Sequence, residues 1–290
     1  MSHAPQGAPE PITFAPDLFR LDGRVALVTG GAGLLGRRYC EALVQAGARV
    51  VVGDLDRQRA TDLASELNNS RAIGVGLDVA DPRSVQACVE AAVAVFGRLD
   101  ILVNNAALTV RGGSETLSPA AYFAPFEDYS LDVWNQALQT NLTGMLLCAQ
   151  AAGKQMLRQA PSGGVIVNIS STYGVVAPDQ RLYDGVRSPY ADTGFNTPVS
   201  YAVTKTAVLG LTRYLATYWA NKNIRVNALT PHGVFDNHDD VFVSNFAYRS
   251  PMGRMARNDE YRGALLFLVS DASSYMTGAN LIVDGGWTAW

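Results

Sequence analysis

Short runs rich in valine, isoleucine and leucine alternate with helix-period segments from residue 24 to the end of the chain. No other feature limits the possible folds as strongly. The strand-like runs fall at 24–30, 49–53, 72–78, 101–104, 165–170, 225–229 and 280–283. The helical patterns between them include 35–46, 57–67, 82–96, 131–159, 199–220 and 259–269. Strands that are almost continuously apolar are covered on both faces. Their strict alternation with helices implies parallel pairing through helical crossovers. The expected fold is α/β, a single doubly wound parallel sheet of about seven strands with helices on both faces.

The 290 residues carry no linker, repeat or low-complexity segment after residue 20, so one domain is expected over 21–290. Residues 1–20 hold Pro5, Pro9, Pro11 and Pro16 and lack the basic start and apolar centre of a signal peptide. They read as a loosely docked tail. No stretch approaches the roughly 18 apolar residues that a membrane span needs. A net charge of −3 argues against nucleic acid or an anionic membrane as partner. Cys40, Cys88 and Cys148 are far apart and lie in helical patterns, as reduced core thiols of a cytoplasmic protein do.

Two irregular connections interrupt the alternation, near 107–130 and 172–198. Both follow strand C-termini, the edge where open α/β sheets bind ligands, and loops of this length are commonly functional. The first strand runs into Gly30-Gly31-Ala32-Gly33-Leu34-Leu35-Gly36 and then a helix. Glycines there allow a tight turn and let backbone N–H groups approach a pyrophosphate at the helix N-terminus. The second strand ends at Asp54. A carboxylate at that place accepts hydrogen bonds from the adenosine ribose hydroxyls and repels a 2′-phosphate. Arg57 and Arg59 fit a solvated helix face. NAD is the expected cofactor.

Tyr201 and Lys205 are spaced i, i+4 at the start of the 199–220 helical pattern and so share one face. A unit charge about 4 Å away at an effective dielectric near 20 is worth about 4 kcal/mol. An ammonium beside a phenol can therefore make a proton donor and acceptor that works near neutral pH.

With this pair, the glycine loop, Asn104-Asn105-Ala106 and Ser170-Ser171 in this order, residues 20–290 resemble the short-chain dehydrogenase/reductase family, of Rossmann-like fold. The resemblance implies Tyr201 as general acid/base, Lys205 as the cation that favours its phenolate and binds the nicotinamide ribose, and Ser171 as the holder of the substrate oxygen. It implies that Asn141 anchors a water linking Lys205 to solvent. Gly30, Gly33, Leu35, Gly36, Asp54, Asp78, Val79, Asn105, Ala106, Gly233 and Val234 are then the cofactor contacts, together with Tyr201 and Lys205. Three departures stand out. The spacing Gly30-x-x-Gly33-x-x-Gly36 is similar to that of the extended branch, whose epimerases and dehydratases carry a longer C-terminal subdomain. His232 replaces a glycine in the family's Pro-Gly turn. Thirteen residues before Tyr201, where the family's serine falls, stands Ser188, whereas Ser171 lies thirty before it. Ser171 is preferred, because a strand end holds a hydroxyl rigidly and Ser188 lies in a loop before Pro189. An insertion of 17 residues between strand and helix accounts for the spacing.

Arg111, Arg181, Tyr183, Asp184, Arg187, Tyr190 and Asp192 in the two long loops suggest a polar site for a sugar, polyol or hydroxy acid. His232, Asp236, His238, Asp239 and Asp240 match no compact metal-ligand spacing, so no metal is expected. They suit a polar lid. The reading is an NAD-dependent oxidoreductase interconverting a secondary alcohol and a ketone. The alternatives are an NAD-retaining epimerase or dehydratase, and a noncatalytic dinucleotide-binding protein. Apolar residues spread around the 199–220 helix predict a homo-oligomer, a tetramer or else a dimer.

Overall fold

The computed structural model describes residues 15–68, 70–108, 117–186 and 196–290. Its strands are β1 (Val25–Thr29), β2 (Arg49–Asp54), β3 (Ala72–Gly76), β4 (Ile101–Asn104), β5 (Gly164–Ile169), β6 (Ile224–Pro231) and β7 (Asn280–Val283). They form one sheet in the order β3-β2-β1-β4-β5-β6-β7, with every pair parallel. The helices are α1 (Leu34–Gln45), α2 (Arg57–Asn68), α3 (Pro82–Phe96), α4 (Pro119–Tyr122), α5 (Leu131–Leu138), α6 (Gly144–Arg158), α7 (Val199–Trp219), α8 (Asp240–Arg249) and α9 (Arg262–Val269). This is the expected Rossmann-like architecture.

Successive strand residues feed opposite faces of the sheet. Val25, Leu27, Val51, Leu102 and Ile166 pack with Val89 of α3, Met156 of α6 and Trp219 of α7. Ala26, Val28, Val50, Val52 and Val103 pack with Leu43 of α1, Leu63 of α2 and Leu265 of α9. Full burial of such side chains is worth about 1.5–3 kcal/mol each, which is why the central strands are dominated by apolar residues. No helix among the described residues is long and apolar enough to cross a membrane. Cys40, Cys88 and Cys148 are free and buried.

The 131–159 helical pattern is interrupted. Between α5 and α6, Gln139–Thr143 forms a π-helical turn with Asn141 fully buried inside it. Such turns are rare and concentrate at functional sites. The helix is broken here because Asn141 turns inward. Its Oδ1 accepts the Leu108 N–H at 2.6 Å and its Nδ2 donates to Thr204 Oγ1 at 3.2 Å. That pair of bonds ties the segment after β4 to α7.

The sheet order reverses between β1 and β4, because β2 and β3 build outward on one side and β4–β7 on the other. The loops above that point diverge and leave a crevice.

Candidate active site

The crevice is a cleft of about 920 Å³ above the C-terminal strand ends. At its centre, Gly30 has φ +61, and a Cβ there would lie 2.9 Å from Ala106 Cα. Gly33 caps α1 in an extended conformation. A Cβ on Gly36 would meet Gly30 O at 2.1 Å. Gly36 therefore sits beneath the cleft and lets α1 approach the loop, while Gly30, Gly33 and Leu35 line it. Asn105 locks this arrangement: its Nδ2 donates to Thr29 O and Gly30 O, both at 3.0 Å. Asn105 and Ala106 line the cleft as well.

Asp54, at the end of β2, accepts the Ala32 N–H on Oδ2 at 3.0 Å and the Asp56 N–H on Oδ1 at 3.2 Å. Asp78 and Val79 face it across the same end of the cleft. Arg59 stands on α2, and its guanidinium reaches back over the loop to donate to Ala32 O at 2.9 Å. It lines the cleft, which the reading of a merely solvated face did not foresee. The glycine cradle, the helix N-terminus and the ribose-side carboxylate together fit a dinucleotide.

The opposite end holds Ser171, Tyr201 and Lys205. Lys205 is 2% exposed, and its Nζ donates to Ile169 O at 2.8 Å. Ser170 Oγ donates to the Lys205 carbonyl at 2.8 Å, so the end of β5 grips α7 from both sides. Burial lowers the Lys205 ammonium to about 8. Its Nζ lies 5.7 Å from the centre of the Tyr201 ring, so the i, i+4 spacing does put cation and phenol together. Ser171 follows β5, is 7% exposed, and accepts the Tyr173 N–H on Oγ at 3.2 Å. Asn141 lies behind the cleft and makes the two bonds described above. Ser188 lies outside the described residues, as do Arg111, Arg187, Tyr190 and Asp192.

Several features here were missed from the sequence. From the sequence, His232, Asp236, His238, Asp239 and Asp240 suit a polar lid, and helix α8 is not expected. Asp239 in fact caps it by accepting the Val241 and Phe242 N–H groups at 2.9 and 3.3 Å, a signal that was available. Asn245 of α8 donates to Leu182 O and Asp184 O, both at 3.1 Å, and Arg249 pairs with Asp179. Arg181 turns onto Asp179 at 2.8 Å and is largely exposed. Tyr173, Tyr183, Phe242, Phe246 and Met255 line the cleft instead. No group of three or more metal-ligating side chains occurs among the described residues.

Residues 31–288 match the family model described as enoyl-(acyl carrier protein) reductase. The chain is 38% identical to D-threitol dehydrogenase of Mycolicibacterium smegmatis, over 93% of this chain and 95% of that one. The chain belongs to the short-chain dehydrogenase/reductase family. It is also 36% identical to trans-4-hydroxycyclohexanecarboxylate dehydrogenase of Sinomonas cyclohexanicum, over 93% of this chain and 95% of that one. Its fold superposes on gluconate 5-dehydrogenase of Burkholderia cenocepacia, solved with NADP and tartrate. The TM-score is 0.81 at 33% identity, covering 96% of this chain and all of that one.

This short-chain dehydrogenase/reductase is therefore an oxidoreductase that uses a nicotinamide cofactor and interconverts alcohol and carbonyl groups. Its departure at His232 has a clear outcome. The residue takes no left-handed backbone conformation, so the turn needs no glycine there. The imidazole packs against Phe246 and Trp287, with ring centroids 4.8 and 4.3 Å away. Burial lowers it to about 4 and keeps it neutral.

Proposed function

We propose that this enzyme is an NAD-dependent dehydrogenase/reductase acting on a secondary alcohol or ketone of a small polar molecule, with Tyr201 as general acid/base. The convergence of Tyr201, Lys205 and Ser171 at one end of a cleft that has a dinucleotide cradle at its centre carries this reading. In the oxidising direction Tyr201 takes the hydroxyl proton. Lys205 stabilises the phenolate and reaches the nicotinamide ribose. Ser171 donates to the substrate oxygen as its charge grows. Gly30, Gly33, Gly233 and Val234, which line the cleft, would hold a nicotinamide cofactor, which would supply the hydride acceptor. Asn141 keeps α7 and the β4 loop in register from behind. The relatives act on a linear tetritol and on a ring alcohol, and both support a secondary alcohol. Production of NADH at 340 nm from a panel of such alcohols tests the reaction.

The preference for NAD rests on Asp54 at the end of β2, whose carboxylate would repel a 2′-phosphate. In the wild type kcat/KM should favour NAD by about tenfold, within the roughly 1–3 kcal/mol that an opposed charge contact costs and with Arg59 beside the same loop offsetting part of it. Asp54→Ala should narrow the ratio. Equal values for the two cofactors in the wild type would sink the preference.

We also propose a homo-oligomer, a tetramer built on α7. Leu215 and Trp219 of α7 pack on the sheet, and Tyr201 and Lys205 line the cleft. Val203, Tyr214 and Tyr218 are left 42%, 64% and 54% exposed. Leu146 of α6 is also exposed. Apolar surface of this kind on a helix already covered elsewhere suits a second copy. Light scattering should give a mass near four chains, about twice the chain mass would leave a dimer, and a mass near 31.0 kDa would refute assembly. The three buried thiols suit the reducing cytoplasm, where we place the enzyme.

A further inference from the structure

The end of the cleft beyond Ser171 and Tyr201 is walled by rings. Tyr173 and Tyr183 come from the segment after β5, Phe242 and Phe246 from α8, and Met255 from the chain after it. Tyr183 and Phe242 are stacked with centroids 5.4 Å apart, and His238 stacks on Phe242 at 5.2 Å. Phe246 meets Phe242 at 6.2 Å. The wall is braced from outside the cleft. The Tyr183 hydroxyl bonds Thr197 Oγ1 at 3.0 Å, Asn245 holds the Leu182 and Asp184 carbonyls, and Arg249 pairs with Asp179.

Such a surface discriminates by shape. A hydroxyl pressed against its ring faces loses water without a replacement partner there, at a cost of about 1–3 kcal/mol. A C–H surface placed there gains about 25 cal/mol for each Å² removed from water. A linear polyol carries a hydroxyl on every carbon and cannot keep them all off the wall. A saturated ring offers a flat C–H face and holds its hydroxyls at the rim. We propose that the substrate is a cyclic secondary alcohol, a hydroxylated cycloalkane, whose C–H face packs on the Tyr183–Phe242 wall while its reacting hydroxyl meets Ser171 and Tyr201. Asp236 and His238 line the same end and supply polar groups for a second rim hydroxyl. This assignment rests on the oxidoreductase reading above.

The test compares trans-1,2-cyclohexanediol, whose hydroxyls are both equatorial, with hexane-3,4-diol, of equal carbon and hydroxyl count, and with D-threitol. Each is assayed with NAD and again with NADP. The ring diol should exceed both chains in kcat/KM by about tenfold or more, the range that shape discrimination in an apolar pocket supplies. Phe242→Leu, which keeps apolar volume without a ring, and Phe242→Ala should each reduce that ratio, mainly through KM. D-threitol matching or exceeding the ring diol overturns the proposal, and so does a ratio unchanged in both variants. Calorimetric binding of the two diols and D-threitol to cofactor-saturated protein separates the two layers. Ring-selective binding without turnover would discard the oxidoreductase reading and uphold ring recognition. Turnover without any ring preference, in binding or in rate, would do the reverse.

Discussion

Tyr201→Phe is expected to lower kcat by about 10²–10⁴-fold, the range that a positioned general acid/base contributes. The substitution keeps the ring and removes only the hydroxyl that carries the proton. Lys205 holds its place through Ile169 O at 2.8 Å and the buried end of β5, neither of which involves the phenol. The site should therefore remain assembled, and the NAD affinity, measured by fluorescence titration, should change by less than about threefold, within 1 kcal/mol. Steady-state kinetics on any alcohol that the wild type oxidises supplies the rate. A variant keeping more than a tenth of wild-type kcat would show that the proton goes elsewhere.

The fold could be read from the sequence because local and global signals agree. The 82–96 helix has the bounds expected of it because each end is marked chemically. The Asp81 carboxylate accepts the Arg83 N–H at 2.9 Å, Pro82 takes the first helical position, and Gly97 closes the helix at φ +83. The central strands were legible because both faces are buried, so apolar residues dominate β1 and β2 even though Asn168 in β5 and Asn227 in β6 stand among such runs. The π-helical turn at Gln139–Thr143 left no such mark. One extra residue per turn does not change composition, and Leu138, Leu142, Met145 and Leu146 continue an apolar rhythm through it. What bends the helix is a tertiary demand, the pull of Leu108 and Thr204 on Asn141.

The substrate wall was hidden for a different reason. Charges stand out in a loop sequence, so Arg181 and Asp184 drew the eye. Yet Asp179 takes up Arg181, and Asp184 offers its carbonyl to Asn245. The rings that line the cleft come from two segments some sixty residues apart, at Tyr183 and Phe242, and only their packing brings them together. The cofactor half needed no such encounter. Its residues sit at strand ends in register, where position along the chain already implies position in space.

The second large effect separates two serines. Ser171→Ala should reduce kcat/KM by about 10²-fold, the loss typical of removing one donor to an oxygen whose charge changes in the transition state. Ser188→Ala should stay within about threefold of the wild type, since the proposed mechanism gives Ser188 no part in the reaction. Raw distance along the chain favours Ser188, thirteen residues before Tyr201. We favour Ser171 over that count for its place beside the cleft. Ser171 lies two residues past the end of β5, whose residues pair with both β4 and β6, and it lines the cleft that Tyr201 also lines. The Tyr173 N–H donates to that oxygen at 3.2 Å. The bond uses a lone pair and leaves the hydroxyl proton for the substrate. A strand fixed on both sides holds that donor to within the fraction of an ångström that transition-state stabilisation requires. Both variants, assayed side by side on the same alcohol, decide the matter. A larger loss at Ser188 would overturn the assignment. It would also require the 172–198 connection to deliver a hydroxyl to a site where the end of β5 already presents one.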